Sequence, residues 1–339
     1  PCLVRPVGSV PSLGDPLVDE YLRFTAARVR ANTLTAQVFD LKVFFTVVPK
    51  APQQVTVTDV LLFIEAQRAP RRGGNVIRLA DGEAGLAAST IKRRLATVSS
   101  LFDYLFLRGI CDRNPVPRSL GARHARPDGR GHGGRRGAPL VRAPRKLPRV
   151  LAPAEVGALT GALRTDRDRA MVALMVHGGL RRCEVLGLRF EHVQVGDRRV
   201  FVADGKGGHQ RLVPVADIFF TNLASYLSRE RPAEAVDDHV FVVLKGPNRG
   251  RPLTAAGLDE VMAGARGRAG LSHASCHELR HTCFTRLREA GMALEAIQAQ
   301  AGHASIETTR VYLHLSNDWL AGEYQRAMAI LDGLHEEEQ

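Results

Sequence analysis

Between Asp15 and about Arg113, apolar side chains recur at three- and four-residue spacing in four stretches: DPLVDEYLRFTAARV, TLTAQVFDLKVFFTVV, TVTDVLLFIEAQ and STIKRRLATVSSLFDYLFLRG. That is the period of helices that each bury one face, and it predicts a small all-α domain of four helices. Thr58 and Asp59 stand where the third helix would open, Ser89 and Thr90 where the fourth would open, and Gly109 where the fourth would close. The polar segment PRRGGNVIRLADGEAG separates the last two helices as a loop.

From Leu147 to about Gly333 the pattern is mixed. APAEVGALTGAL, RDRAMVALMVHGG and RRCEVLGL keep the helical period, whereas EHVQV, RRVFVADG and HQRLVPV are short segments joined by turn residues and predict three strands. The helical period returns in DIFFTNLASYLSRE, TAAGLDEVMAGARGRA, SCHELRHTCFTRLREAG, LEAIQAQAG, IETTRVYLHL and WLAGEYQRAMAILDGL. The expected fold is therefore mostly α with a small antiparallel sheet. Its expected parts are an N-terminal extension (1–14), a helical domain (15–113), a linker (114–146), an α+β domain (147–333) and an acidic tail (334–339).

The linker, NPVPRSLGARHARPDGRGHGGRRGAPLVRAPRK, has no apolar period and Asp128 as its only acid. Such composition suits a solvated spacer and equally a basic strap along phosphates, with Arg135 and Arg136 at its centre. Across the chain 47 Lys and Arg stand against 35 Asp and Glu, a net charge of +12, which favours a polyanionic partner. No run approaches the roughly 20 apolar residues of a membrane span, and the first residues lack a secretory leader pattern. Five scattered cysteines (Cys2, Cys111, Cys183, Cys276, Cys283) do not describe a disulfide framework. A soluble cytoplasmic protein without a membrane partner is expected.

Residues 276–287, CHELRHTCFTRL, combine the elements of a soft-metal site with those of a phosphate clamp. On a helix His277, Arg280 and His281 share one face, and Cys276 and Cys283 lie on a neighbouring one. A metal there would face a permanent guanidinium, and neither a matching Glu nor a CxxC pair completes the ligands, so no metal is expected. In GGLRRCEVLGL, Arg181 opens a helix, where an anion is favoured, and Glu184 is placed for an i,i+3 pair with it. Lys206 lies in the Gly-rich turn of DGKGGHQRLVPV, and in AGHASIETTRVYLHL His303 follows Gly302, with Tyr312 nine residues later. Singly, each has an ordinary alternative: a surface arginine, a solvated hairpin lysine, a capping histidine, a half-buried tyrosine.

Together and in this order, Arg181, Lys206, His277, Arg280, His303 and Tyr312 resemble the active-site set of the tyrosine recombinase, or phage integrase, family. GLRRCEVLGL, HELRHTCFTRL and GHASIETTRVYLHL are similar to its best-marked segments. The resemblance is specific over 147–333, which it implies is an α+β catalytic domain; the four helices of 15–113 are similar in kind to the family's SAM-like core-binding domain. Gly178 stands where Thr is usual, Ala301 where Leu is, and Cys183 where Ser is common, but no reacting group is missing.

The resemblance implies that Tyr312 attacks a DNA phosphodiester, forming a 3′-phosphotyrosyl link and releasing a 5′-hydroxyl. It assigns Arg181 and Arg280 to the non-bridging oxygens, His277 to the phenol proton, Lys206 to the leaving 5′-oxygen and His303 to the phosphate, with Glu184 and His281 in support. Tyr324 is a rival nucleophile, disfavoured by the spacing of Tyr312 from Gly302 and His303. No metal, ATP or other cofactor is required. The implied partner is a double-stranded recombination site gripped by both domains, with Lys92, Arg93, Arg94, Arg135 and Arg136 as expected DNA contacts. The chain is expected to be a monomer in solution and a homotetramer on nucleoid DNA, its last helix docked on a neighbour or, alternatively, packed on its own domain; an accessory directionality factor is a further candidate partner. With so short an extension ahead of the helices, no separate arm-binding domain is expected. The expected role is integration of a phage or mobile element; the alternatives are chromosome-dimer resolution, transposon movement, a type IB topoisomerase and a catalytically silent regulator.

Overall fold

The computed structural model describes residues 10–69, 85–117, 140–142, 149–203, 210–235 and 237–302. It divides into two compact units, Pro1–Arg145 and Lys146–Gln339. Helices dominate the described residues, and the regular β structure among them is one three-stranded antiparallel sheet. No helix among them is long and apolar enough to cross a membrane.

The first unit holds α1 (Pro16–Ala26), α2 (Ala31–Val47), α3 (Val57–Arg68) and α4 (Ala88–Leu107). Asp15 caps α1, accepting from the Leu17 and Val18 amides, with Pro16 in the first turn. Helix α3 opens on Thr56 rather than Thr58: Thr56 and Asp59 cap each other's backbone reciprocally, and Asp59 is the third helical residue. The expected opening of α4 at Ser89 and Thr90 also differs, since the helix starts from Ala87 with no side-chain cap and both residues lie inside its first turn. Gly109, at φ +68°, ends α4 as expected, its amide reaching Phe106 while that of Ile110 reaches Leu105. The core is built from Leu22, Leu41, Phe44, Phe63, Val98 and Phe102, with Phe44 edge-on to Phe63 at 4.9 Å.

Residues placed in the extension and the linker by composition also join this core. Leu13, Val116 and Val141 are buried in it, the Leu13 amide donates to Asp19, and Asn114 donates to Asp103 and to the Ser99 carbonyl. Isolated apolar residues carry no period, so this packing leaves little trace in the sequence pattern.

The second unit runs α5 (Pro153–Gly161), α6 (Asp166–Val176), α7 (Arg182–Leu186), β1 (Val193–Gln194), β2 (Arg199–Val202), β3 (Arg211–Pro214), α8 (Asp217–Arg229), α9 (Ala255–Arg268), α10 (Cys276–Glu289) and α11 (Leu294–Ala301). The strands pair in sequence order, with Val200 opposite Val213 and Val202 opposite Arg211. Ala170 through Val176 are all buried, so α6 is the central helix; it packs between α8 and α10. That arrangement sets the end of α6 beside α10, where the charged residues gather.

Candidate active site

After α6 the chain turns through Gly178 and Gly179 into Arg181, the N-cap of α7. Gly179 has φ +68°, and a Cβ on it would stand 2.4 Å from the Phe284 ring of α10. Only glycine therefore lets this turn lie against α10. Helix α10 is itself set by a reciprocal cap between Ser275 and Glu278, which places His277 and Arg280 in its first turns.

Arg280 is buried, with its guanidinium over the Phe284 ring at 4.8 Å. It donates to the Gly179 carbonyl and, at 2.7 Å, to that of Ala301. One arginine thus ties the α6–α7 turn to the end of α11. A single carboxylate, Glu184, completes the cluster, its side chain fully buried. Glu184 accepts from the Arg181 amide at 2.8 Å and from the Arg181 guanidinium at 2.6 Å, as the i,i+3 spacing suggests. Arg280 Nη1 stands 4.0 Å from the same carboxylate. Burial pushes the Glu184 carboxyl up, but hydrogen bonds from Arg211, the Arg181 amide and the Arg181 side chain outweigh it and hold the group down at about 2. Arg181 is the most open of these side chains at 21%, and its Nη2 also reaches the Gly302 carbonyl at 3.3 Å. Helix α7 is only five residues long and its N-cap amide is held by Glu184, so anion attraction here rests on the arginine rather than on a helix dipole.

His277 is exposed and His281 half-buried; their Nε2 atoms lie 2.8 Å apart with the rings edge to face. Burial, then the positive charge of Arg280, pushes His277 down; burial, then His277 and Arg280, pushes His281 down to about 4. Both rings are neutral at pH 7, so one Nε2 donates and the other accepts. Cys276 and Cys283 are buried, and burial lifts their thiols to about 11 and about 12, so both are protonated thiols that pack as small apolar side chains.

The structure brings Arg181, Glu184 and Arg280 together, with His277 and His281 on α10 beside them. Lys206, His303, Tyr312, Tyr324, Arg135 and Arg136 lie outside the described residues. In the other unit, Arg93 and Arg94 are not simply solvated. Both pair with the buried Asp40, which Thr97 also bonds at 3.1 Å, and Arg94 donates to Gln67 at 2.9 Å; Lys92 is exposed.

The sequence pattern did not single out Arg211. From β3 it donates to both oxygens of Glu184, at 2.8 and 3.1 Å, and its Nε donates to the Gln300 carbonyl at 2.8 Å. The available signal was register: Arg211 and Val213 point to one side of the strand, Val213 is buried, and the intervening Leu212 is 46% exposed. An arginine on an inward position needs a buried partner.

A sequence profile described as "Phage integrase family" matches residues 149–318. The tyrosine recombinase XerC of Serratia marcescens is 28% identical over 322 residues, covering 94% of this chain and 95% of the relative. XerC of Yersinia pestis is 31% identical over 249 residues, covering 72% and 74%. Among solved structures, the Tn1549 transposon integrase in complex with transposon right end DNA superposes with a TM-score of 0.68 at 18% identity, covering 92% of this chain and 98% of that one. A lambda integrase dimer bound to a core site superposes at 0.61 and 18% identity, covering 86% and 95%. At these identities the structures show the fold, and with the profile and the XerC relatives they establish that the chain belongs to the phage integrase family, the tyrosine recombinases.

Proposed function

We propose that the chain is a site-specific DNA recombinase that cleaves and rejoins strands through a 3′-phosphotyrosyl link on Tyr312. The observation that carries this reading is the convergence of Arg181 and Arg280 on one buried carboxylate, beside the end of α11, whose next-but-one residue is His303. Two guanidiniums can grip the non-bridging oxygens of a phosphodiester as planar forks. In a site that excludes water, each such donor contributes about 3–4 kcal/mol as charge builds on those oxygens in the transition state.

The phenol of Tyr312, with an ordinary pKa of about 10, gives its proton to the neutral His277. Its oxygen bonds the phosphorus as the bond to the 5′-oxygen breaks, and Lys206 protonates that leaving oxygen. His303 bonds the phosphate. The phosphotyrosyl link conserves the bond energy, so a partner strand's 5′-hydroxyl reverses the step without ATP. We assign 15–113 to a core-binding domain, 114–146 to the linker and 147–333 to the catalytic domain. Four copies assemble on paired recombination sites, assisted by a directionality factor. Duplex DNA as partner is supported by the net charge of +12 and by the DNA bound in the complexes of the Tn1549 and lambda integrases. A Xer-type role in chromosome-dimer resolution is the second reading, favoured by the near full-length match to XerC of Serratia marcescens.

The test uses the full chain and a library of nicked duplexes of random sequence, in which the nick lets the cleaved fragment diffuse away. Detergent-resistant adducts are collected, the peptide is mapped and the attached DNA is sequenced. Adducts on Tyr312 at one recurring sequence are expected; DNA binding without any adduct overturns the proposal in favour of a silent regulator.

A further inference from the structure

We infer that Arg211 is a positioning residue for strand cleavage: it clamps Glu184 to the end of α11 and so aims the Arg181 guanidinium. The inference rests on the reading of Arg181 as a phosphate-binding group. Glu184 has two oxygens and three neighbouring guanidiniums. Arg181 takes Oε1 with its side chain and Oε2 with its own amide, so rotation of the carboxylate would swing the arginine with it. Arg211 blocks that rotation by bonding both oxygens, and its third donor, Nε, is fixed on the Gln300 carbonyl. Gln300 in turn donates to Gly178 at 3.3 Å, which closes a ring from β3 through α11 to the turn that carries Arg181.

The backbone makes room for this side chain. A Cβ on Gly302, which sits at φ +59°, would stand 3.1 Å from the Arg211 guanidinium. Arg211 is itself nearly buried, at 9%, so it serves the cluster and not the solvent. Lysine cannot substitute: a single ammonium on a flexible stem reaches one of these three acceptors in a defined direction, not all of them.

The test compares Arg211→Lys with the wild-type chain in single-turnover cleavage of the duplex recovered by the trapping experiment. Two versions are used: the natural scissile phosphate, and a methylphosphonate that lacks one charged oxygen. Displacing an aimed group by about 1 Å costs up to about 100-fold, so cleavage of the phosphate is expected to slow at least about 10-fold while DNA affinity changes less than about 2-fold. The loss should shrink to about 3-fold or less on the methylphosphonate, which presents less charge for Arg181 to stabilise. A merely structural role would slow both substrates equally. That result, or a rate within about 2-fold of wild type on the phosphate, overturns the inference. Arg211→Gln, which removes the charge but keeps an amide donor, is the second variant should Arg211→Lys melt early, and the same substrate dependence is expected of it. Arg181→Ala is run alongside. If it cleaves normally, the phosphate-binding role of Arg181 fails; if it is impaired and the Arg211 variants are not, only the present inference fails.

Discussion

Glu184→Gln removes one negative charge and leaves shape and volume nearly unchanged. Two routes give its cost. At about 1.4 kcal/mol per pKa unit, the drop from 4.5 to about 2 means that the ionised carboxylate contributes about 3 kcal/mol to folding at neutral pH. Neutralising one member of a buried ion pair costs about 3–5 kcal/mol, because the partner charge stays behind, and here Arg211 and Arg280 are both nearly buried. The two figures agree, so a loss of about 3 kcal/mol is expected. With a urea slope of about 2–3 kcal/mol per molar, the unfolding midpoint of the second unit should fall by about 1 M. Hydrogen exchange of the α6 segment in a urea series reads that unit within the full chain.

The pH dependence supplies the sharper check. Because the carboxyl is depressed in the folded chain, its contribution is fully present above about 4.5 and is lost as pH falls toward about 2. The gap between wild type and Glu184→Gln should therefore shrink by about 1 kcal/mol at about pH 4 and by about 2 kcal/mol at about pH 3. A midpoint unchanged to within about 0.2 M at pH 7, or a gap that stays constant on acidification, would refute the account of Glu184 as the charge that organises these arginines.

Tyr312→Phe should bind DNA as the wild type does and form no detergent-resistant adduct; an adduct that persists moves the nucleophile elsewhere, with Tyr324 the first residue to map. Cleavage should survive chelation of divalent metals with EDTA, and its complete loss would reopen a metal role for the His277 and His281 pair. Gly179→Ala puts a methyl 2.4 Å from the Phe284 ring at a left-handed backbone position; strain and overpacking together should cost about 2 kcal/mol or more, read by thermal melting. DNA affinity should fall steeply with salt, since each neutralised phosphate releases about 0.9 counterion, and a flat salt dependence in filter binding would contradict phosphate gripping.

What could be read from the sequence was local. Among the described residues the helices and the three strands show through because burial imposes a period on consecutive residues; the expected helices IETTRVYLHL and WLAGEYQRAMAILDGL lie outside them. The Arg181–Glu184 pair shows through because a helix brings i and i+3 together. Thr56 is legible too, because its three-residue spacing to Asp59 is that of a capping box, which the nearer Thr58 lacks. Arg93 and Arg94 carry a weaker signal: Asp40 interrupts the apolar face of α2, and a buried acid needs cations. Contacts made by tertiary folding were out of reach. Nothing near Arg211 in the chain announces Glu184 or the carbonyl of Gln300, and Val116 and Val141 sit in a Pro- and Gly-rich stretch that composition assigns to solvent.

The charges of the cluster explain why a phosphate site would be built this way. Arg181, Arg211 and Arg280 surround Glu184, and these four groups sum to a formal charge of +2. Were the arginines present without the carboxylate, their mutual repulsion in a poorly hydrated site would oppose folding. With a carboxylate for each, their field would be spent before DNA arrived. One carboxylate for three guanidiniums lies between these limits. It holds the arginines in place through directed bonds, yet leaves a positive field for a phosphodiester, and a larger gain for the transition state, whose oxygens carry more charge. Burial pushes His277 toward its neutral form, the form that can accept a proton from a phenol, and the field of Arg280 adds to that push. In the proposed site, substrate attraction and activation of the nucleophile then share a contribution from the Arg280 charge, so Arg280→Gln should weaken both, lowering the cleavage rate and raising the pKa of His277 as read by NMR.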